Sequence, residues 1–246
     1  MPAIPQPYSN KLIPEWITDL QQSESGENRL RALQAIGLLA SKAESSLWAA
    51  HAIRDNDSDV RALAAKLLGS NPSLMPGETE SALVAMLDDA DPDSRFESAR
   101  ALIRWQSASS ERAVAVLLQF LDEEETQPLM IAAVVNTLLE VKSLEGPGEA
   151  MLQPRIERYL DHDRAEVRES ISAVFRKWPT MCKSVIDRLL PLLDDSEPVV
   201  RENIACALGR TGLVDENIRT ALQAATLDED SEVARIAAEA LQKLRV

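Results

Sequence analysis

The sequence is poor in the residues that build catalytic and metal centres. It contains two histidines, His51 and His162, and two cysteines, Cys182 and Cys206, among 246 residues. A metal site or a histidine-based catalytic group would therefore have to combine parts that are distant along the chain. Two cysteines are too few for a disulfide framework, which favours reduced, packed thiols. We predict that the protein is not an enzyme, holds no metal and uses no cofactor.

Long apolar segments are missing as well. The longest uncharged apolar run, residues 128–139, contains Asn136 and is too short to span a bilayer. The first 14 residues include four prolines and lack the apolar segment of a secretory signal. These absences predict a soluble protein of the cytoplasm with no membrane partner.

Basic residues are outnumbered by acidic ones. Lysine and arginine total 26 against 40 aspartates and glutamates, which gives a formal net charge of −14. Because a phosphate backbone repels a chain this acidic, the charge disfavours nucleic-acid binding, although it leaves room for a local basic patch. Aromatic residues are also scarce, at 4%, and alanine and leucine dominate the apolar residues. That composition favours packed helices over sheets.

The chain does contain one short pattern repeated seven times. In each copy a small or apolar residue, usually followed by arginine, opens a segment in which small or apolar residues recur at helical spacing. The second residues of these pairs lie 30 to 37 positions apart, a period typical of stacked-repeat solenoids. The pairs are Leu30–Arg31, Val60–Arg61, Ser94–Arg95, Met130–Ile131, Val167–Arg168, Val200–Arg201 and Val233–Ala234.

The repeat predicts two alternating kinds of helix, here called A and B, with the arginine in the B helix. The A helices are expected at roughly 12–22, 42–53, 79–88, 110–121, 149–160, 181–193 and 215–227. The B helices are expected at roughly 28–40, 58–69, 93–106, 127–141, 165–177, 198–210 and 231–245.

Acidic turns precede the B helices. Carboxylates there can cap the free backbone N–H groups of the next helix and oppose the positive end of its dipole. Asp55, Asp57 and Asp59 have the spacing that opens a calcium-binding EF-hand loop. The sixth loop position, however, is Val60 instead of glycine, and the twelfth is Lys66 instead of glutamate. We therefore predict helix capping and no calcium site.

Three segments carry a family resemblance. They are DNDSDVRALAAKLLG at 55–69, DHDRAEVRESISAVF at 161–175 and DDSEPVVRENIACALG at 194–209. They resemble the second half of HEAT repeats, in the short bacterial form of phycocyanobilin-lyase-type HEAT proteins. The chain departs from that pattern at Ile131 and Ala234, which stand where other repeats have arginine.

The resemblance implies an all-α fold. We expect a right-handed, armadillo-like α-solenoid of about seven HEAT-like helix pairs, with residues 1–11 as an extended lead-in and 12–246 as a single domain. In this family the turn aspartate and the helix-B arginine typically hydrogen-bond between adjacent repeats. Carried over, this pairs Asp195 with Arg201, Asp55 or Asp57 with Arg61, and Asp89 or Asp91 with Arg95. The expected ladder residues are Asp55, Arg61, Asp89, Arg95, Arg168, Asp195 and Arg201.

B helices line the concave face of HEAT arrays, and residues four apart on a helix share one lane. In that lane the third repeat places Phe96, Arg100 and Arg104, and the second places Lys66. An exposed aromatic beside arginines is a candidate partner-binding site, because such residues dominate interface hot spots. The alternative is a solvated helix face with Phe96 tucked into a neighbouring helix. Trp105 is expected in the core, since its position is apolar in several repeats.

These observations predict a non-catalytic scaffold that binds another protein through its concave face. One alternative is an accessory lyase- or hydroxylase-like protein on the same fold. Deoxyhypusine hydroxylase binds iron with His-Glu motifs, but neither His51 nor His162 is followed by glutamate. A second alternative, nucleic-acid binding, is disfavoured by the acidity.

Overall fold

The computed structural model of the chain is all-α, as predicted. It describes residues 8, 11–71, 77–123, 127–139, 141, 154–176, 183–213 and 215–244, and no strand occurs among them. None of the helices in these ranges is both long and apolar enough to cross a membrane. The chain forms two compact units, residues 1–117 and 118–246. That residues 12–246 form one domain stays a prediction. Most of the lead-in and Cys182 lie outside the described residues.

The first unit contains three A–B helix pairs. In each pair the A helix packs against the B helix that follows it, and the B helices α2, α4 and α6 pack one after another. The next helix, α7, crosses the boundary between the units. The bounds are α1 Ile13–Gln22, α2 Gly26–Leu39, α3 Lys42–Ala52, α4 Ser58–Gly69, α5 Gly77–Met86, α6 Pro92–Arg104 and α7 Ser110–Asp122.

The second unit repeats this arrangement with the B helices α8, α9, α11 and α13 packed in succession. The A helix of the fifth repeat of the chain is described only at residues 154–157. The sixth A helix ends as an α-helix before Pro191 and continues as a 3₁₀ helix, because proline has no N–H for the α-helical bond. The bounds are α8 Pro128–Leu139, α9 Ala165–Phe175, α10 Lys183–Leu189, 3₁₀ helix Leu190–Asp194, α11 Pro198–Arg210, α12 Glu216–Ala225 and α13 Ser231–Lys243.

The repeated stripe forms the core. In α11, Val200, Ile204 and Leu208 are fully buried. Small residues bring neighbouring B helices close together: a Cβ added to Gly209 would lie 2.5 Å from Cβ of Ala240 on α13. The helical periodicity in the sequence therefore identifies the packed face correctly.

The first repeat is an exception, because its register was predicted two residues too late. Arg31 is exposed and Leu38 is 61% exposed, whereas Arg29, Leu33 and Ile36 are buried. Arg29, at 9% exposure, therefore takes the place that the sequence analysis gave to Arg31. The physical reason is that Leu33 and Ile36, not Leu30 and Leu38, complete the apolar face that packs on the neighbouring helices.

Candidate functional site

Arginines of the B helices bind aspartates of the following repeat. Arg61 donates from Nε to Asp89 Oδ2 at 2.8 Å and from Nη2 to Asp89 Oδ1 at 2.9 Å. This two-bond geometry matches the planar guanidinium to the carboxylate. Four such pairs occur in the part of the chain that the structure describes: Arg29–Asp55, Arg61–Asp89, Arg168–Asp195 and Arg201–Asp228.

Each ladder arginine also donates a hydrogen bond to a backbone carbonyl in the turn that precedes its own helix. Nη1 of Arg61 donates to the backbone carbonyl of Asp55 at 2.9 Å, and Nη1 of Arg201 donates to that of Asp195 at 2.8 Å. One guanidinium therefore ties two successive turns together. Arg95 makes the same own-turn contact, donating to the carbonyl of Asp89 at 3.0 Å.

The predicted partners within the ladder need correction. Carboxylates of Asp55 and Asp195 bind Arg29 and Arg168 of the preceding repeat, not Arg61 and Arg201. In the described contacts, Arg95 meets the backbone of Asp89, whose carboxylate binds Arg61. The physical reason is the length of the arginine side chain. From the first turn of a B helix, the long arginine side chain extends across the stack to the next turn, while its own turn presents a carbonyl.

The two carboxylates of the Asp-x-Asp turns at residues 55–57, 89–91 and 228–230 have different tasks. The first, as in Asp55, accepts from an arginine and from the backbone N–H of Asp57 at 2.8 Å. The second caps the helix: Asp57 Oδ1 accepts from the N–H of Asp59 at 3.0 Å, and Asp91 Oδ2 from that of Ser94 at 2.7 Å. These bonds account for the acidic turns without an ion. Within the described ranges no group of three or more histidines, cysteines and acidic residues is arranged to hold a metal.

The ladder changes the acidity of its carboxyl groups. Hydrogen bonds from Arg61 lower the pKa of Asp89, and those from Arg201 lower the pKa of Asp228. At Asp55 and Asp195 burial acts to raise the pKa, but the hydrogen bonds and the charge of the paired arginine outweigh it and the net shift is downward. All four carboxylates are therefore stabilised in their charged form.

Two repeats lack the ladder arginine, as the sequence indicates. Ile131 is 2% exposed and belongs to the core of its repeat. In the last repeat, Arg235 lies on the exposed side of α13 and pairs with Glu232 and Glu239 of the same helix. In the fourth repeat apolar packing of Ile131 thus replaces the ladder contact. In the seventh repeat ion pairs within α13 replace it.

The predicted partner-binding residues divide into exposed and buried ones. Lys66 and Arg104 are exposed and Arg100 is half-buried, but Phe96 is only 5% exposed. The expectation of an exposed Phe96 is therefore corrected. The same position is half-buried in other repeats, as at Ala62, so it borders the contact between helices. A large apolar ring at such a position gains free energy by entering that contact.

Phe96 instead contacts the side chain of Arg100 through the face of its ring. The guanidinium carbon of Arg100 lies 5.4 Å from the centre of the Phe96 ring, within the range of a cation–π contact. Arg100 also forms an ion pair with Glu97, whose side chain is 14% exposed. Phe96 and Arg100, which the sequence analysis placed on one lane, are therefore in contact. The Phe96 ring is buried, however, and only the Arg100 side chain is partly exposed.

Glu97 is the residue that the sequence analysis missed. Burial raises its pKa, while the nearby charges of Arg100, Lys66 and Arg104 act in the opposite direction. A buried carboxylate thus lies among the three cations of the predicted site. Its position three residues before Arg100 on the helix was a usable signal, since residues three apart lie side by side.

His51, His162 and Trp105 have ordinary local contacts. His51 packs against Trp48, with ring centres 5.4 Å apart, and His162 Nδ1 accepts from the backbone N–H of Arg164 at 3.1 Å. Trp105 is 9% exposed and donates to the carbonyl of Leu68 at 3.1 Å. Trp105 therefore belongs to the core, as expected.

Solved structures resemble this fold at low sequence identity. A computationally designed armadillo repeat protein for modular peptide recognition shares 19% identity, with a TM-score of 0.56 over 79% of this chain and 98% of that one. YibA from Escherichia coli shares 14%, with a TM-score of 0.56 over 97% and 94%. The CpcE–CpcF complex of phycocyanin lyase from Nostoc sp. shares 18%, with a TM-score of 0.50 over 99% and 98%. At such identities these likenesses show the fold alone.

Sequence comparison assigns the family. No curated protein sequence matches the chain significantly. A family model described as HEAT repeats matches residues 45–138 and 152–242, which together make up most of the chain. The predicted resemblance is thereby confirmed: the chain belongs to the HEAT repeat family.

Proposed function

We propose that this protein is a non-catalytic scaffold that binds another protein through the cationic cluster formed by Lys66, Arg100 and Arg104 on α4 and α6. The single observation that carries the proposal is that these three cations all act on one carboxylate, that of Glu97, in a chain of net charge −14. Local charge of the opposite sign guides a partner to one surface and fixes its orientation. A cytoplasmic location belongs to the same proposal.

The absence of catalysis rests on how the reactive groups are used. The two histidines make local packing and backbone contacts, and carboxylates of the acidic turns are used in the ladder and in helix caps. The lyase alternative has only the likeness of fold to the CpcE–CpcF complex in its favour. We therefore retain the scaffold as the function that the geometry supports best.

Affinity capture tests the proposal with two matched variants. The first changes Lys66, Arg100 and Arg104 to alanine, and the second changes the exposed cations Arg210, Arg219 and Lys243 of the second unit to alanine. Both remove three positive charges, so a general charge effect is the same in both. We expect the first variant to lose captured protein by roughly tenfold or more, about 1.4 kcal/mol, in quantitative mass spectrometry of native lysate.

The second variant and a circular dichroism spectrum serve as controls. The second variant should capture the same proteins as the wild-type chain, and both variants should keep the helical spectrum. Equal capture by the wild-type chain and the first variant would contradict the proposed surface. Substrate turnover by the purified chain would contradict the non-catalytic role.

A further inference from the structure

Arg100 is held in place before any partner arrives. Its guanidinium lies above the ring of Phe96, 5.4 Å from the ring centre, and pairs with Glu97 on its own helix. Its side chain is 20% exposed. An arginine fixed from two sides loses little conformational entropy when it binds a ligand, which favours tight and oriented contacts.

Glu97 is the buried acidic member of this cluster. Its Oε2 atom is buried and forms an ion pair with Arg100 on the same helix. Burying a carboxylate costs free energy unless its hydrogen bonds are satisfied. The raised pKa of Glu97 agrees with this geometry, since burial outweighs the three nearby cations.

The cluster combines three cations with one carboxylate. Lys66, Arg100 and Arg104 all lie near enough to Glu97 for their charges to act on it. Lys66 and Arg104 are exposed, whereas Arg100 and Glu97 are half-buried. The arrangement resembles a binding site for a carboxylate group. Arg100, the more buried of its two arginines, is already paired with the protein's own Glu97.

We propose that Glu97 occupies the position at which a carboxylate of an acidic peptide segment binds, and that the segment displaces it. The incoming aspartate or glutamate accepts hydrogen bonds from Arg100, while Arg104 and Lys66 hold the neighbouring acidic residues. Glu97 then moves toward solvent, where its charge is hydrated. This inference rests on the proposed function, because it names the chemistry of the partner at the same surface.

A short acidic peptide fits the cluster better than a nucleic acid. Guanidinium groups bind carboxylates and phosphates alike, so the distinction comes from the surroundings. The rest of the chain is strongly acidic and repels a long polyanion on either side of the cluster. A peptide with two or three acidic residues places its charge only where the cations lie.

Fluorescence anisotropy with defined probes tests this inference. The probes are fluorescein-labelled hexaglutamate, hexalysine and a single-stranded oligothymidylate of 12 nucleotides, titrated with the full chain at low salt. The wild-type chain should bind hexaglutamate. Glu97→Gln, which removes the internal competitor, should bind it roughly threefold to tenfold more tightly, and the Lys66, Arg100 and Arg104 triple variant at least tenfold more weakly.

Three outcomes would overturn the inference. The first is unchanged or weaker binding of hexaglutamate by a Glu97→Gln variant whose melting temperature shows it to be folded. As a control, Glu97→Asp keeps the charge and should bind like the wild-type chain. The second is tighter binding of oligothymidylate than of hexaglutamate. The third is equal binding of hexaglutamate by the triple variant and by the Arg210, Arg219 and Lys243 control.

The failure of the inference can be separated from failure of the proposed function. If lysate capture depends on the three cations but hexaglutamate does not bind, the scaffold proposal stands and the acidic partner is wrong. If hexaglutamate binds as expected but capture ignores the three cations, the cluster binds carboxylates without being the surface for the captured protein.

Discussion

The B helices of the two units share one set of contacts and differ in another. Both units have arginine–aspartate ladders, as in Arg61–Asp89 and Arg201–Asp228. Beyond the ladder, α6 carries Arg100 and Arg104, whose charges act on Glu97 of the same helix. In the second unit, by contrast, Arg176, which directly follows α9, donates to Glu202 at 3.1 Å and to Asn203 at 3.0 Å, both on α11.

The comparison separates positions that build the fold from positions free to vary. Ladder residues recur because every repeat must tie its turn to the next one. In the second and third repeats the lane beyond them has cations and no carboxylate, whereas in the second unit it mixes Glu169, Glu202 and Glu239 with cations such as Arg210 and Lys243. Stability should therefore respond to the ladder in both units, and binding only to the lane of the first.

The largest expected effect is the loss of a ladder arginine. Arg201→Ala leaves Asp228 buried without its partner and should lower the free energy of unfolding by about 3 kcal/mol. Arg61→Ala should cost less, because the Arg61 and Asp89 side chains are 18% and 11% exposed against 7% and 9% for Arg201 and Asp228. Urea denaturation measures both changes.

The exposed Arg235 is the control for that experiment. Arg235→Ala removes an arginine of the same helix type outside the ladder and should barely move the denaturation midpoint. If Arg201→Ala also left the midpoint unmoved, the ladder would not stabilise the stack.

A smaller effect is expected where B helices pass closest to each other. Gly209→Ala places Cβ 2.5 Å from Cβ and 2.7 Å from Cα of Ala240. These atoms belong to a packed helix and cannot swing away, so overpacking should outweigh the gain of about 1 kcal/mol in helix propensity. We expect a net loss of about 1–2 kcal/mol in urea denaturation.

The matched change in the first unit is Gly69→Ala. Its Cβ would lie 3.1 Å from Cα of Ala101, a tighter than ordinary but less severe contact. This variant should remain close to the wild-type stability. A greater loss for Gly69→Ala than for Gly209→Ala would contradict the expected difference in helix approach.

The smallest effect concerns pH and has opposite signs for two kinds of carboxylate. The lowered pKa values of the ladder aspartates, for example Asp228, mean that their stabilisation is complete above the unfolded value of about 3.9 and is lost as the pH falls through the folded pKa. The raised pKa of Glu97 means that its contribution is present below the unfolded value of about 4.3 and is lost as the pH rises through the folded pKa.

Melting temperatures between pH 7 and pH 3 check these signs. Arg201→Ala should flatten the loss of stability below about pH 4, because Asp228 no longer has a lowered pKa to maintain. Glu97→Gln should remove the small gain that protonation of Glu97 brings on mild acidification. Identical pH dependence of the wild-type chain and both variants would refute the two assignments.

Much of the fold was readable from local sequence. The period of the arginine slots, the apolar stripe of α11 and the capping role of Asp57 all depend on residues within one or two helical turns. The register of the first repeat failed because Leu30 and Leu38 imitate the stripe, while only packing selects Leu33 and Ile36. The partner-binding set stays a prediction, now without an exposed Phe96.

The sequence by itself determined that this chain forms repeated helix pairs with acidic caps, because helical periodicity and capping act between neighbours along the chain. Only the tertiary structure decided which aspartate each arginine reaches, that Phe96 is buried, and that Glu97 lies among Lys66, Arg100 and Arg104. These features depend on how closely α4 and α6 approach and on how far an arginine side chain extends between repeats. No local pattern encodes such distances.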